Sequence, residues 1–300
     1  MGIKVIKTIN INSKKMKKVY YWSPFIGNIA TIKAVVNSAF SLVKYSNKAF
    51  IPSIINSCGE WSQYISNLNE KKINIKNLNN SFKLDTQVSG LIKSRIAYIK
   101  IFLSSFFLLK RLLNKDKPHY LVAHLITSLP IILFIFFSFE TKLIIRISGK
   151  IKMNFFRKLI WKINKKNFYL VTCPTKESQK ELIDMNIIEK EKIIFLPDPI
   201  IDINQIQILK NTNADNLIVG KKFFLCIGRF TKQKNHILAI NSFKNLSKKH
   251  KNINLIIIGR GELKDQYSNL INEINLKDRI SILDYDTNIF KYLSKSSALI

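Results

Sequence analysis

The chain has 300 residues, of which 47% are hydrophobic, and its 49 lysines and arginines outnumber its 19 aspartates and glutamates by 30. This length suggests about two domains, and the hydrophobic fraction is large enough to give each of them a core. The three cysteines are scattered, with none in a Cys-x-x-Cys pair, which excludes a disulfide framework or a cysteine-rich zinc module and favours a reducing, cytoplasmic setting.

The excess of positive charge is concentrated in the first two-thirds of the chain. Residues 1–200 hold 33 basic and 11 acidic residues, a net charge of +22, whereas residues 201–300 hold 16 and 8, a net charge of +8. A field of this sign favours polyanions, either nucleic acid or anionic lipid headgroups. The alternative is coding drift toward A and T, which enriches lysine, asparagine and isoleucine together without any function.

The first 200 residues alternate between predicted strands and helices. The start, MGIKVIKTINI, has no continuous apolar region and no cleavage site, so it does not resemble a signal peptide. Helical patterns cover residues 30–45 and 89–113. This alternation predicts βαβ units and parallel sheets that are covered on both faces. The predicted strands are KVYYWSPF, AFIPSIIN, INIKNL, YLVAHL, KLIIRIS, FYLVTCP and KIIFLPDP.

Residues 120–139, YLVAHLITSLPIILFIFFSF, are long and apolar enough to resemble a membrane span. His124, Thr127, Ser128 and Pro130 interrupt the first half of this segment. They favour a strand, YLVAHL, followed by a short helix, LPIILFIFF, both of them buried. A true span is the alternative.

A second, shorter series follows a predicted hinge. Pro197 and Pro199 precede the polar stretch IDINQIQILKNTNADN, which favours a linker, so we predict one domain at 1–200 and another at 201–300. The second series runs FFLCIG, helix, NLIIIG, helix, RISILDY, helix and a last apolar segment, ALI. Three strands with three helices are about half of a doubly wound sheet. We therefore expect the second domain to be incomplete within these 300 residues.

The turn GRFTKQKN collects cations directly after the apolar run FFLCI, and no carboxylate occurs between Asp215 and Glu262. Apolar residues at helical spacing follow, so Arg229 lies on a strand-to-helix turn and Lys234 beside the helix N-terminus, with Asn235 as the predicted N-cap. A cation is unfavourable there by about 0.3–1 kcal/mol, and an anion would reverse the sign. The pattern predicts a phosphate or diphosphate held by these two cations, or else a solvated surface turn.

Two Rossmann-like domains with such a turn at the head of the second resemble a GT-B glycosyltransferase. Residues 223–300 are similar to glycosyltransferase family 4, whose members carry a strand ending in Gly-Arg, a lysine five residues later, and a second strand ending in Gly-x-Gly. They also carry a later apolar strand before a short helix that ends in Tyr-Leu. This chain matches them in GRFTKQKN, LIIIGRGEL and ISILDYDTNIFKYL. The implied fold class is α/β, GT-B, with two Rossmann-like doubly wound domains.

The resemblance assigns Arg229 and Lys234 to the diphosphate of a nucleotide-sugar donor. Negative charge grows on the leaving phosphate as its bond to the anomeric carbon opens, and cations held there stabilise the transition state. The expected co-substrate is a nucleotide-diphosphate sugar, with no other cofactor and no metal. Glycines would let the backbone approach the nucleotide closely. The glycines are Gly228, Gly259 and Gly261, and the residues placed beside the base are Asp284, Tyr285 and Asn288.

Upstream, the resemblance is carried by single residues. YLVAHLITS matches an acceptor-domain strand that ends in histidine, which assigns His124 to orienting the donor sugar or diphosphate, the alternative being a packed core residue. SPFIGNIAT lies where the family has a glycine-rich acceptor loop, usually with a Gly-Gly pair, and only Gly27 is present. FLPDPI is similar to the family's Asn-Pro segment, with Asp198 in place of asparagine.

The family's paired glutamates, seven residues apart, hold the donor sugar and the ribose and would follow just after residue 300. Either a longer parent protein is the enzyme or this product is inactive. We expect these 300 residues to bind nucleotide diphosphates weakly and to show no transfer.

The acceptor side has to account for the positive charge of residues 1–200. In residues 92–113, Lys93, Lys100 and Arg111 lie on one helical face with a broad apolar arc around them, which suits a domain core with one wet stripe or an interfacial membrane helix. The resemblance implies a retaining hexosyltransferase that acts on a saccharide or lipid-linked acceptor in polysaccharide or lipopolysaccharide synthesis. Such an enzyme would be cytoplasmic and peripheral at the anionic inner membrane surface.

Three other classes compete with this interpretation. A nucleic-acid-binding protein would show aromatic residues interleaved with basic ones or a helix-turn-helix or RRM signature; we find neither, and expect no nucleic-acid partner. An integral membrane protein requires residues 120–139 to span. A membrane-associated basic nucleotide-binding protein without catalytic activity is the remaining alternative.

Overall fold

The computed structural model describes residues 16–26, 30–84, 91–149, 153–199, 202–212 and 222–300. Contacts between Cα atoms divide the chain into two compact units, Met1–Ile200 and Ile201–Ile300. Each unit is built around a parallel sheet with helical connections between the strands. The α/β class with parallel sheets that the sequence predicts is therefore confirmed.

The first unit contains a seven-stranded sheet in the order β3-β2-β1-β4-β5-β6-β7. Every neighbouring pair is parallel. All seven predicted strands are confirmed. The strands are β1 Lys17–Trp22, β2 Phe50–Asn56, β3 Asn74–Asn77, β4 Tyr120–Ala123, β5 Lys142–Arg146, β6 Phe168–Cys173 and β7 Ile193–Phe195; the helices are α1 Ala30–Tyr45, α2 Ile65–Glu70, α3 Leu91–Asp116, α4 Ser128–Phe136, α5 Phe155–Asn164 and α6 Lys176–Asp184.

Helices cover both faces of this sheet because the strands carry apolar side chains on both sides. One core joins strand residues to α1 and α2, and contains Tyr21, Val35 and Leu68. The other core joins the opposite face to α3, α4, α5 and α6. The α3 helix contributes a buried row with a residue every four positions, which is one face of an α-helix. That row is Ala97, Ile101, Ser105, Leu109 and Leu113.

The apolar segment 120–139 is divided as the sequence predicts. It forms β4 and the nine-residue α4, with Leu129, Pro130 and Leu133 buried in the core. Among the described residues, no helix combines the length and the apolarity that a membrane crossing would need.

The second unit contains a four-stranded parallel sheet in the order β10-β9-β8-β11. The strand and helix series predicted for this unit is confirmed, and the last apolar segment pairs with β8 as β11. The strands are β8 Lys222–Ile227, β9 Ile253–Ile258, β10 Ile280–Leu283 and β11 Ala298–Leu299; the helices are α7 Ile203–Leu209, α8 His236–Lys249, α9 Lys264–Glu273 and α10 Phe290–Leu293.

The predicted linker contains a short helix that the sequence pattern did not indicate. Residues Ile203–Leu209 form α7, which begins after Asp202, whose side chain accepts a hydrogen bond from the backbone N–H of Gln205. Asn288 holds the end of this helix, because its amide donates to the Leu209 carbonyl at 3.0 Å. A short polar helix of this kind is specified by its tertiary contacts more than by its own sequence.

Both sheets reverse their strand order next to the first strand of the unit. In the first unit the reversal lies between β1 and β4, and in the second it lies between β8 and β11. Ligands of open α/β sheets bind beyond the carboxyl ends of the strands at such a reversal. His124 follows β4 and Arg229 follows β8, so the fold places both predicted site residues at these two positions.

Candidate functional site

The β8–α8 turn exposes its cations. Arg229 and Lys234 are both exposed, and among the described residues neither side chain forms a hydrogen bond or an ion pair with another. The aliphatic stem of Lys234 lies over Gly228, since its Cγ and Cδ atoms are each 3.4 Å from where a Cβ atom of residue 228 would stand. The two charges therefore flank one strand-to-helix turn, and no carboxylate of the described ranges is paired with them.

The N-terminus of α8 faces this turn without a side-chain cap. Asn235 occupies the N-cap position but has left-handed backbone angles, φ 47° and ψ 45°, and its side chain makes no capping hydrogen bond. Asn235 is therefore the N-cap residue, as predicted, but it follows the short 3-10 turn in the left-handed region, which asparagine tolerates, and its side chain does not cap the helix. A 14-residue helix with an uncapped N-terminus favours a bound anion through its backbone dipole.

Gly259 and Gly261 let a second turn pack against the first. A Cβ atom on Gly259 would stand 1.9 Å from the Gly228 carbonyl oxygen, and one on Gly261 would stand 2.6 Å from the Phe230 carbonyl oxygen. Two backbone hydrogen bonds lock the contact, from Phe230 N–H to the Arg260 carbonyl at 2.9 Å and from Gly228 N–H to a β9 carbonyl at 3.0 Å. These glycines have a packing role; their predicted approach to a nucleotide remains a prediction.

A buried aromatic cluster supports the turn from below. The rings of Phe230, His236 and Tyr267 meet edge to face, with centroids 5.5–5.6 Å apart. Burial lowers the pKa of His236, so the imidazole is neutral, and its Nδ1 lies 3.1 Å from the Cys226 Sγ. The sequence analysis missed this cluster, because its members are brought together by packing between separate elements; only the aromatic residue inside the GRF turn signals it.

The residues predicted to lie beside the base follow β10 and have partners within the second unit. Asp284 forms an ion pair with Lys264 at 2.6 Å. The exposed Tyr285 ring lies 4.9 Å from the Arg260 guanidinium. The Asn288 amide is engaged with the end of α7, at 3.0 Å from a carbonyl and 2.7 Å from a threonine hydroxyl. Contact of these residues with a base remains a prediction, and Asn288 already has internal hydrogen bonds.

His124 is buried at the carboxyl end of β4, 5% exposed, and neither of its ring nitrogens has a hydrogen-bond partner among the described residues. Burial, together with the positive charge of Arg146, lowers the pKa of His124 to about 3. The imidazole is therefore neutral at ordinary pH, with one donor and one acceptor to offer. Buried polar groups without partners are rare in native proteins, and a ligand is one explanation for such a group.

A polar row runs across the carboxyl edge of the first sheet beside His124. The backbone N–H of His124 donates to the Trp22 carbonyl at 2.9 Å, which places Ser23 next to His124. The Ser23 hydroxyl is buried and has no hydrogen-bond partner in the described part of the chain. On the other side, Arg146 follows the residue that pairs with β4. Its guanidinium donates to Asp198 at 3.0 Å and to Thr172 at 3.3 Å. Sequence reasoning missed Arg146, although an arginine inside the apolar run KLIIRIS was a visible signal.

Gly27, assigned to an acceptor loop, lies outside the described residues. Clusters of three or more histidine, cysteine, aspartate or glutamate side chains able to hold a metal ion do not occur in the described ranges. The three cysteines are buried and free.

Residues 209–300 match the family model described as Glycosyl transferases group 1. An uncharacterized glycosyltransferase of Methanocaldococcus jannaschii is 32% identical over 135 residues, which are 44% of this chain and 33% of that protein. A Campylobacter jejuni protein is 37% identical over 81 residues, 27% of this chain and 21% of that protein. It is named N-acetylgalactosamine-N,N'-diacetylbacillosaminyl-diphospho-undecaprenol 4-alpha-N-acetylgalactosaminyltransferase. The chain spans a third or less of these two relatives.

Solved structures share the fold over almost the whole chain. A glycosyltransferase from Rickettsia africae has a TM-score of 0.66 at 13% identity, covering 95% of this chain and 73% of that one. TarM of S. aureus has a TM-score of 0.68 at 13% identity, covering 95% and 80%. A putative UDP-N-acetylglucosamine 2-epimerase from Listeria monocytogenes has a TM-score of 0.59 at 12% identity, covering 95% and 74%.

At such low identity the structural likeness establishes the fold alone, which transferases share with a putative epimerase. The chain therefore has the GT-B fold, and its residues 209–300 match the model of the glycosyl transferases group 1 family.

Proposed function

We propose that this protein transfers a sugar from a nucleotide-diphosphate sugar to a saccharide acceptor, as a retaining enzyme of family 4. One observation carries the proposal. Arg229 and Lys234, which have no ion-pair partner among the described residues, lie on the β8–α8 turn, at the reversal of strand order and at a helix N-terminus without a side-chain cap. They lie within the segment that matches the transferase family model.

The turn suits a diphosphate leaving group. A guanidinium offers a planar fork to two phosphate oxygens, while an ammonium supplies a mobile point charge. Charge that grows on the leaving phosphate is stabilised more strongly in the transition state than in the ground state, which is the condition for catalysis. The rigid aromatic and glycine packing beneath Arg229 preorganises that charge. The two cations take the place of a metal ion, so we expect transfer to survive a chelator.

His124 would act from the first unit. A neutral, buried imidazole with two unsatisfied nitrogens can donate to one oxygen and accept from one hydroxyl. That chemistry suits a sugar hydroxyl, and it supports the proposal that His124 orients the donor. The Ser23 hydroxyl, in the same row, also has no hydrogen-bond partner among the described residues.

The acceptor we propose is a lipid-linked saccharide, used in surface polysaccharide synthesis at the cytoplasmic face of the membrane. The support is the Campylobacter relative, whose name describes a diphospho-undecaprenol substrate, together with the net charge of +22 in residues 1–200, 33 basic against 11 acidic residues. An anionic membrane surface attracts such a unit. The S. aureus TarM mutant structure is a complex that contains UDP, so UDP-sugars are the first donors to test.

A transfer assay tests the proposal. These 300 residues and the product of the longest reading frame that contains them are each incubated with radiolabelled UDP-, GDP- and ADP-sugars and with lipid-linked saccharides, with and without EDTA. The proposal predicts labelled lipid from the longer product, insensitive to EDTA and lost in Arg229→Ala. Epimerised nucleotide sugar without transfer would replace the proposal with epimerase activity. Nucleotide binding without any turnover would favour a non-catalytic binding protein.

A further inference from the structure

The helix α5 is apolar on the side that faces away from the core. Trp161 and Asn164 are buried on its inner side. Residues 155, 159 and 163 are spaced by four, so they lie along one face, and Phe156 borders them. With exposures of 75% and 71%, the two phenylalanines are among the most exposed large side chains of the chain. The outward apolar residues of α5 are Phe155, Phe156, Leu159 and Ile163.

The helix α3 repeats this arrangement on a larger scale. Its inner row, from Ala97 to Leu113, is buried. A second row lies on the opposite side at spacings of four, three, four and four residues, and every member is exposed to solvent by about half or more. A helix that is apolar on two opposite faces needs a second apolar partner besides its own core. The outward row consists of Ile92, Ile96, Ile99, Leu103 and Phe107.

The two outward rows lie on the same side of the first unit. The helices α3, α4, α5 and α6 contribute to a single core on one face of the seven-stranded sheet. The short α4 packs against both α3 and α5. The end of α3 is near the amino end of the sheet, because Tyr20 of β1 contacts Asp116. The beginning of α3 therefore lies toward the carboxyl edge, where His124 is located. The beginning of α5 lies toward the same edge, because α5 follows the carboxyl end of β5.

The charges around these rows are almost all positive. The sequence of α5 contains no carboxylate, and α3 contains only Asp116, which is paired with Lys76 at 3.0 Å. By contrast, α6 on the same face carries Glu177, Glu181 and Asp184. Among the helices on this face, the excess of positive charge is thus larger on α3 and α5 than on α6. The cations are Lys93, Arg95, Lys100, Lys110, Arg111 and Lys115 of α3, and Arg157, Lys158, Lys162, Lys165 and Lys166 in and after α5.

We propose that α3 and α5 form one docking surface for an anionic phospholipid bilayer. Exposed apolar patches of this extent mark protein or membrane contacts, and a border of cations selects the membrane. The phenylalanines and aliphatic residues enter the headgroup boundary, while the lysine stems lie along them and carry their charges to the phosphates. The surface specifies the peripheral attachment proposed above and, with it, presents the carboxyl edge of the sheet toward a lipid-linked acceptor.

Cosedimentation of the 300-residue chain with vesicles tests the docking surface, because it measures membrane binding and requires no sugar transfer. A failure of the docking surface can therefore be distinguished from a failure of the proposed function. The vesicles are phosphatidylcholine with or without phosphatidylglycerol. Wild type should bind only the acidic vesicles, and less as salt rises. Phe155→Ser with Phe156→Ser should lower partitioning by about tenfold or more, because two large apolar side chains lose their burial. Leu238→Ser in α8, an apolar position that is 62% exposed, is the control outside the surface and should not change binding.

Two double variants, each of which removes two lysines, distinguish binding through this surface from binding that depends only on the net charge of the chain. Lys158→Gln with Lys162→Gln should weaken binding to acidic vesicles several-fold, whereas Lys248→Gln with Lys249→Gln at the end of α8 removes the same charge and should have little effect. Equal losses in the two double variants would show that binding follows overall charge, which would overturn the surface.

Insertion is tested directly by fluorescence. Phe155→Trp should be quenched by brominated lipid in acidic vesicles, and Leu238→Trp should not. Unquenched Phe155→Trp on bound vesicles would contradict the proposal. Sedimentation equilibrium tests whether a second copy of this chain occupies the surface instead. If Phe155→Ser with Phe156→Ser converts a dimer into a monomer and leaves vesicle binding intact, the surface is an interface between copies of this chain and the proposal is overturned.

Discussion

The Cα of Gly259 faces the carbonyl of Gly228 so closely that a Cβ atom on residue 259 would stand 1.9 Å from that oxygen. The contact joins the turn after β9 to the turn after β8, and so fixes the backbone that carries Arg229. The obstacle to any side chain at residue 259 is backbone, which cannot move aside without breaking the hydrogen bonds between the two turns.

Gly259→Ala should therefore destabilise the second unit by about 3 kcal/mol or more, at the upper end of what overpacking costs. Gly228→Ala is the matched control in the same turn, because its Cβ would meet side-chain atoms instead of backbone: the flexible Lys234 stem at 3.4 Å and the His236 ring at 3.5 Å, an ordinary contact distance. Thermal unfolding followed by circular dichroism measures both. Similar midpoints for the two variants would show that the two turns are not packed as described.

Arg146 and Asp198 provide a second test, on stability in the first unit. Arg146 is 5% exposed, and Asp198→Asn removes the charge to which it donates, which should cost about 1.5–3 kcal/mol. The exposed pair of Lys117 and Glu140 is the control, since Glu140→Gln should change stability by less than about 1 kcal/mol. Urea unfolding compares them; equal small effects would mean that Arg146 does not depend on Asp198.

His124 predicts a pH dependence whose sign follows from its lowered pKa. In the unfolded chain the imidazole of His124 has the ordinary pKa of 6.5, whereas in the folded chain its pKa is about 3. Stability from this group is thus complete above pH 6.5 and is lost as the pH falls toward 3. Between pH 7 and pH 5 the loss should be about 2 kcal/mol. The free energy of unfolding is measured against pH for wild type and His124→Gln, and the difference between the two slopes gives the contribution of His124 alone. Parallel slopes would contradict the lowered pKa of His124.

The strands and their order of appearance could be predicted because continuous apolar runs specify buried parallel strands without help from the rest of the chain. The ends of elements were harder. Asn235 is the N-cap of α8, as the sequence predicts, but its left-handed backbone and the lack of a capping hydrogen bond from its side chain could not be predicted, because asparagine suits both kinds of N-cap residue.

Features that join distant residues could not be predicted from local pattern. Arg146 and Asp198, which form a hydrogen bond with each other, are 52 residues apart in the sequence. The aromatic cluster beneath Arg229 joins three separate elements. The short α7 depends on Asn288, which is 79 residues from the carbonyl it contacts. In α3, apolar residues lie on two opposite faces, so their helical spacing could not show which face is buried.

The central claim is that the β8–α8 turn binds the diphosphate of a nucleotide sugar. Isothermal titration of the 300-residue chain with UDP, GDP, ADP and inorganic pyrophosphate measures this directly, in wild type, Arg229→Ala, Lys234→Ala and Lys232→Ala. Lys232 is an exposed cation of the same turn, and its removal is the matched control for charge.

Each lost contact to a charged oxygen is worth about 1.5–3 kcal/mol. The account predicts weak binding of the diphosphates by wild type, a loss of about tenfold or more in Arg229→Ala and in Lys234→Ala, and little change in Lys232→Ala. Equal affinity in wild type, Arg229→Ala and Lys234→Ala would contradict it.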